Sequence, residues 1–449
     1  MRRGVGVLAR FPNDRLLERL AGLPIAPIRR WAARLAADRA MHWAALGGAA
    51  RDPYVLARLG LYPFAMAAQA SDAKGRRGRA LAAAALGKAD GKAMEALAAL
   101  RGNSRKLAAR LVALHDCETA LELLEPGDHT GLAACLLALD RPEDARGHLG
   151  QAGENSREAA AIRAHIEICA GEWGAAREAL NAMFGHDDLG APLASGSGAF
   201  TIDTLRGETP PVSEGPKVSV VIPYHNAAGT IETAIASITG QSWRNVEILA
   251  VDDRSDDESP AIVRRLADSD GRIVLLANVR EPGVYGARNT AIAAATGEYV
   301  TFLDADDWSP GERLARQIAA LGSGTVAIAN HIRMDDAGRP VAPRIFPLVR
   351  PVPITMALRR ETLVAAGPFD AVATGADSEM FARLEMLHGK AAVARDPAVL
   401  LVARWRSGSL SRNREGGLLG LERYRYRAQW MFRHAGLESP RLPEEPGAA

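Results

Sequence analysis

The stretch "EYVTFLDADD" (298–307) decides the fold. Its first six residues are apolar, β-branched or aromatic apart from Glu298, and the run then breaks into Asp304-Ala305-Asp306-Asp307. A strand so apolar offers no polar face to water, so it belongs inside a parallel sheet covered on both sides. Four more runs share its grammar: "VSVVI" (218–222), "VEILAV" (246–251), "RIVLLA" (272–277) and "TVAIAN" (325–330). Helical patterns separate them, among them "TIETAIASI" (230–238) and "ESPAIVRRLA" (258–267). Strands alternating with helices predict an α/β fold. In such sheets chemistry gathers beyond the carboxyl ends of the strands.

Those ends carry the informative residues. The first strand runs into Pro223-Tyr224-His225-Asn226, the second into Asp252-Asp253-Arg254-Ser255-Asp256, and the fourth into Asp304-Ala305-Asp306-Asp307. Crowded carboxylates repel unless a cation or hydrogen-bond donors compensate. Ser255 and Asp256 serve equally well as helix caps. Asp304 and Asp306 follow an apolar strand, and residues i and i+2 of an extended chain point the same way. Two carboxylates aimed at one point suit a hard divalent cation that keeps positions open for phosphate oxygens. Between these segments, "GVYGARNTAIAAATGEY" (283–299) places Gly283 and Gly286 at a tight turn and Arg288 and Asn289 near a helix start. A helix N-terminus with a guanidinium is a diphosphate cradle; the competing reading of Arg288 is a structural ion pair.

Taken in order, "VSVVIPYHN", "VEILAVDDRSDD", "GVYGARNTAIAAATGEYVTFLDADD", "GADSEMFARL" and "RWRSGSLS" resemble a family 2 glycosyltransferase over about residues 216–412. The resemblance implies the GT-A fold, a mixed, mainly parallel sheet with helices on both faces. It also implies transfer of a sugar, with inversion, from a nucleotide-diphosphate donor, UDP-linked by expectation, to an acceptor hydroxyl. Asp253 stands where the family's uracil-binding Asp stands, with Asp252 before it. The loop from Pro223 to Asn226 corresponds to the one that packs on the base, and either His225 or Tyr224 takes the stacking position. Arg288 lies near the diphosphate. Asp304 and Asp306 correspond to the family's Asp-x-Asp, which implies Mn2+ or Mg2+ with Asp306 as the direct ligand. In "TGADSEMFARL" (374–384), Ala376 replaces the family's usual Glu, and Asp377 keeps the Asp expected to act as base; Glu379 is the second candidate and a helix start near Asp377 the bland reading. In the late motif, Ala403 replaces Tyr and Arg406 replaces His. Arg406 cannot bind a metal, but it pairs with phosphate charge.

The preceding half has another grammar. Residues 1–190 are rich in Ala, Leu and Arg, which favours an all-α domain. Ile28, Trp31, Leu35 and Ala36 share one helical face. Ala93 and Leu97, Ala120 and Leu124, Ala145 and Leu149, and Ala176 and Leu180 recur after short polar turns. A small residue at a crossing with Leu one turn later resembles degenerate tetratricopeptide hairpins, and an ordinary helical bundle fits as well. Residues 191–216 mix Gly, Ser and Pro and read as a linker, 217–412 as the transferase domain, and 413–449 as a C-terminal helix and tail. "ERYRYRAQWMFRH" (422–434) reads as a basic helix for anionic lipid or a lipid-linked acceptor, or as a helix packed on the protein with wet arginines. His115, His129, His148 and His165 are scattered, and Trp31, Trp43 and Trp173 read as core.

Composition removes other classes. Lys plus Arg number 55 against 53 Asp plus Glu, a net charge of +2 over 449 residues, too balanced for a nucleic-acid binder. Cys117, Cys135 and Cys169 form no disulfide framework, as expected in a reducing compartment. Arg10 and Asp14 interrupt any signal core, and no run of about 18 apolar residues is present, so a cytoplasmic protein is expected, with peripheral contact at the inner membrane face. The expected partners are the donor, a saccharide or lipid-linked acceptor in surface polysaccharide synthesis, and a protein bound by the helical half. Two rival readings stand: a scaffold protein whose transferase half is degenerate, favoured by Ala376, Ala403 and Arg406, and a nucleotidyltransferase, for which the late Ser-rich motif has no role.

Overall fold

The computed structural model describes residues 53–70, 72–151, 156–207, 215–322, 324–406 and 420–434. The readings placed on Ile28, Trp31, Leu35, Ala36 and Trp43, and on the Ser-rich motif after Arg406, lie outside them. The described residues fall into two compact units, 53–116 with 420–434, and 117–406.

In the first unit, helices α1 (Pro53–Arg58), α2 (Tyr62–Ala67), α3 (Ala73–Ala85), α4 (Gly91–Ala98) and α5 (Asn103–Val112) pack with the C-terminal helix α17 (Leu421–His434). Asp72 and Asp90 cap α3 and α4, accepting from the amides of Gly75 and Ala93 at 2.7 and 2.8 Å. The basic helix α17 buries Tyr424, Ala428, Trp430, Met431 and Phe432, and Tyr424 meets Tyr62 of α2 edge to face at 5.8 Å. No helix of the described residues is long and apolar enough to cross a membrane.

The second unit opens with α6 (Cys117–Leu123), α7 (His129–Ala138), α8 (Pro142–Leu149), α9 (Arg157–Cys169) and α10 (Trp173–Gly185). Of the repeating pattern, Ala120, Ala145, Ala176 and Leu180 are fully buried here, while Ala93 of α4 is half-buried, and α7 packs on α8 as α9 packs on α10. These helices continue into the sheet without a break in packing. The Glu158 carboxylate on α9 accepts from the Leu348 and Val349 amides at 2.7 and 2.8 Å, and His165 donates from Nδ1 to the Pro340 carbonyl at 2.8 Å. Trp173 packs edge to face on Phe200.

A nine-stranded sheet follows: β1 (Val218–Tyr224), β2 (Val246–Asp252), β3 (Ile273–Ala277), β4 (Tyr299–Phe302), β5 (Val326–Asp335), β6 (Pro340–Val341), β7 (Arg350–Pro351), β8 (Ala357–Arg359) and β9 (Val393–Trp405). Its main path is β3-β2-β1-β4-β8-β5-β6, with β7 and β9 both paired to β5. The pairs among β1, β2, β3 and β4 are parallel, as is β5 with β9, while β8 runs antiparallel to both β4 and β5. The sheet is therefore mixed and mainly parallel, as the resemblance implied. Helices α11 (Ile231–Thr239), α12 (Ser259–Ser269), α13 (Val284–Ala294), α14 (Arg313–Leu321), α15 (Arg360–Ala366) and α16 (Ala376–His388) connect the strands. All seven residues of β1 are buried, which is why that run carries no alternation. One buried carboxylate ties the centre: Glu247 of β2 accepts from the Ser219 hydroxyl of β1 and from the Thr296 and Gly297 amides just before β4.

Candidate functional site

Parallel order brings the carboxyl ends of β1, β2, β3 and β4 to one edge. Tyr224 pairs in register with Asp252, and its buried hydroxyl is pushed up to about 12, first by burial and then by the Asp252 charge. His225 donates from Nδ1 to the Asp253 carbonyl at 2.9 Å. Asn226 adopts a left-handed backbone and exchanges hydrogen bonds with Asp256, donating its side-chain amide at 2.6 Å and accepting the Asp256 amide at 2.9 Å. Asp252 accepts from the Ser255 amide at 3.0 Å. The loops after β1 and β2 thus hold each other.

Asp253 reaches the third strand end. Its Oδ1 accepts from Asn278 at 2.6 Å and its Oδ2 from the Gly283 amide at 2.6 Å. Asn278, immediately after β3, also takes the Thr290 hydroxyl of α13 at 2.9 Å. Its structural part was missed in the sequence, although its position, one residue past the apolar run "RIVLLA", was the available signal. Gly283 has φ +113, and at Gly286 a Cβ would fall 1.8 Å from the Glu281 carbonyl, so the turn into α13 requires both glycines.

On α13, Arg288 is 3% exposed and donates to Asp304 at 2.6 Å. Three rings surround its guanidinium, Tyr285, Phe302 and Phe369, at 5.3, 5.6 and 5.9 Å from their centroids. Burial alone would lower its proton affinity, but the charges of Asp304, Tyr285 and Asp377 outweigh burial and raise it. The guanidinium is thus fixed by the Asp304 carboxylate on one side and by the three rings around it. Asn289 holds the third of these rings in place, exchanging hydrogen bonds with the Phe369 backbone at 2.9 Å in each direction.

After β4, Asp304 and Asp306 are partly exposed and Asp307 is buried. Burial, then the Asp304 charge, raises the Asp306 carboxyl; burial, then the charges of Asp306 and Asp304, raises Asp307 well above the usual carboxylate range. Two partly exposed oxygen donors that repel each other fit a hard divalent cation. Among the described residues no group of three or more His, Cys, Asp and Glu converges on a metal position. Arg406 lies 3.6 Å from Asp306. The loop is anchored from below by β9, through reciprocal Trp308 and Val402 backbone bonds at 2.9 and 2.8 Å and the Arg404 amide on Asp307 at 3.1 Å.

Asp377 lies in the first turn of α16, half-buried, after Gly375 with φ +90. The Tyr285 hydroxyl donates to its Oδ1 at 3.1 Å and accepts from the Gly375 amide at 3.0 Å. Glu379 is fully buried and engaged by Arg383, whose Nε lies at 3.0 Å, so it does not face the site. Ala376, where the family carries Glu, is buried too.

The comparisons with known proteins fall on this same stretch. The family model described as glycosyl transferase family 2 matches residues 219–375. Among curated proteins, the chain is 41% identical over 104 residues to the UDP-Glc:alpha-D-GlcNAc-diphosphoundecaprenol beta-1,3-glucosyltransferase WfgD of Escherichia coli, covering 23% of this chain and 40% of that one. It is 38% identical over 120 residues to the succinoglycan biosynthesis protein ExoO of Rhizobium meliloti, covering 27% and 34%. The similarity thus spans about two-fifths or less of those relatives' own length. Among solved structures, the mannosyltransferase PcManGT of Pyrobaculum calidifontis, in complex with GDP-Man and Mn2+, aligns at 23% identity and TM-score 0.37 over 51% of this chain and 65% of that one. The family match begins in the fully buried first strand and ends at the glycine that starts α16, so it brackets the four strand ends described above. The chain therefore carries, from Ser219 to Gly375, a domain of glycosyl transferase family 2.

Proposed function

We propose that this protein transfers a sugar, with inversion, from a UDP-linked donor to a hydroxyl of a saccharide or lipid-linked acceptor in surface glycan synthesis. One observation carries the reading: an unbroken path of side chains runs from Asp377 through Tyr285 and Arg288 to Asp304. A base, a cation and a carboxylate of the Asp-x-Asp pair therefore share one neighbourhood, as displacement at a sugar carbon beside a diphosphate requires.

In this reading Asp253 binds the nucleobase, His225 or Tyr224 stacks on it, and Pro223, Asn226 and Asp252 shape the loop beneath. Arg288 and Arg406 meet the negative charge of the diphosphate. Mn2+ or Mg2+, held by Asp304 and Asp306, supplies charge that offsets what develops on the departing nucleotide. Asp377 accepts the proton of the acceptor hydroxyl as its oxygen attacks the anomeric carbon. The name of the curated relative from Escherichia coli, which specifies UDP-Glc and a diphosphoundecaprenol acceptor, supports the choice of UDP and of a lipid-linked acceptor.

The test is a panel of nucleotide sugars incubated with the full chain and Mn2+, read by nucleotide release. Release by wild type and its loss in Asp377→Asn, with UDP binding retained, supports the reading. Absence of UDP binding in calorimetry, with or without Mn2+, overturns it in favour of the scaffold reading.

A further inference from the structure

We infer that Asp203, outside the matched family domain, is a positioning residue for the metal-binding loop and acts through Arg404. This rests on the proposed reading of Asp306 as a metal ligand.

Asp203 belongs to a short 3-10 turn, Ile202–Thr204, within the stretch read from the sequence as linker. That turn is anchored: Phe200, Ile202 and Leu205 are buried to 1% or less, and Thr201 and Thr204 cap it reciprocally. Its acid is aimed at the site. Asp203 accepts Nη2 of Arg404 on Oδ1 at 2.6 Å and Nη1 on Oδ2 at 3.1 Å, and the Thr233 hydroxyl of α11 adds a bond to Oδ1 at 2.9 Å. Arg404 is 8% exposed. With its two terminal nitrogens held by Asp203, its remaining Nε–H points to the Asp306 carbonyl at 3.3 Å, while its own amide donates to Asp307 at 3.1 Å. One arginine thus grips the loop at two successive residues, and its aim is set by a carboxylate from a preceding segment.

The charge arithmetic gives Asp203 a second effect. The Arg404 charge already acts on the Asp306 carboxyl. Without Asp203, a buried guanidinium loses its counter-charge and turns toward the nearest acids, Asp306 and Asp307, where it competes with a cation. Partners that orient a ligand from behind typically change metal affinity about 10- to 100-fold.

The experiment measures Mn2+ uptake by the full chain in the presence of UDP, by calorimetry and by loss of the free-ion paramagnetic resonance signal. Asp203→Asn should weaken Mn2+ binding about tenfold or more, leave metal-free UDP binding unchanged, and be rescued by Asp203→Glu. The double variant Asp203→Asn with Arg404→Gln removes the unpaired charge, so its unfolding midpoint should recover while Mn2+ binding stays weak. If Asp203→Asn alone does not fold, the double variant carries the test. Wild-type Mn2+ affinity in these variants, or affinity that returns together with stability, overturns the positioning role and leaves the transferase reading intact. A wild type that binds UDP but takes up no Mn2+ overturns the positioning role together with the reading of Asp306 as a metal ligand, whereas a wild type that binds no UDP overturns the transferase reading.

Discussion

Tyr285, 92 positions before Asp377, donates its phenol to Oδ1 of Asp377 at 3.1 Å, while the phenol oxygen itself accepts the Gly375 amide at 3.0 Å. The ring is clamped as well, stacked on Phe369 at 5.7 Å. In the proposed reading of Asp377 as base, this bond occupies Oδ1 and leaves the proton to Oδ2. Asp377→Asn should lower kcat about 10²- to 10⁴-fold with little change in donor KM. Tyr285→Phe keeps the stack and loses one bond to a charged group, so kcat should fall about tenfold. Steady-state kinetics with donor and acceptor varied separately check both, and a Tyr285→Phe enzyme with unchanged kcat would refute the hydrogen bond's part.

Asp304 and Asp306 crowd one another, and Arg288 and Arg406 relieve only part of the repulsion. Removing divalent ions with a chelator should therefore cut transfer about 100-fold or more, restored by Mn2+ or Mg2+. Asp306→Asn should abolish that restoration. Full activity in chelator would show that the two arginines suffice.

Asp253 has both oxygens engaged, by Asn278 and by the Gly283 amide. Asp253→Ala should disturb two loops at once and weaken UDP binding about tenfold or more, from the loss of charge-assisted bonds. Asn278→Ala should reproduce part of that loss without touching the nucleotide. Calorimetric titration of UDP into each variant tests the pair, and equal affinity in Asn278→Ala would dissociate the loop from the base site.

His331 on β5 is 2% exposed, donates from Nδ1 to the Arg350 carbonyl at 2.8 Å, and is pushed from 6.5 down to about 3, by burial first and then by the Arg350 charge. Its folded value lies below the unfolded one, so the stability it contributes is present above pH 6.5 and is lost as pH falls toward 3. At pH 5 the loss amounts to about 2 kcal/mol. His331→Asn keeps a donor and removes the titration. Urea unfolding at pH 7 and pH 5 should show the wild type losing about 2 kcal/mol more than the variant; parallel losses would refute the assignment.

The five strands from Val218 to Asp335 were legible because buried parallel strands are written as apolar runs; each begins within one residue of its run, although β5 continues five residues past it. The strand-end acids were legible for the same reason, since an abrupt change from Leu303 to Asp304 marks where the chain leaves the sheet. The antiparallel insertion was not legible: β8 is three residues long, and its pairing with β4 and β5 depends on partners far along the chain. Neither was the environment of Arg288, because its three rings come from α13, β4 and the loop before α16. Asp203 escaped for a related reason. A carboxylate in a Gly-, Ser- and Pro-containing stretch looks solvated until Arg404, 201 positions away, is brought to it.

The Glu158 carboxylate, capping two backbone amides of the segment between β6 and β7, ties the preceding helices to the sheet and limits where the chain can be cut. A chain trimmed to begin at Lys217 would strip those amides of their acceptor and leave the Pro340 carbonyl without His165. The smallest fragment that keeps these bonds therefore reaches back to α9, well upstream of the matched residues 219–375.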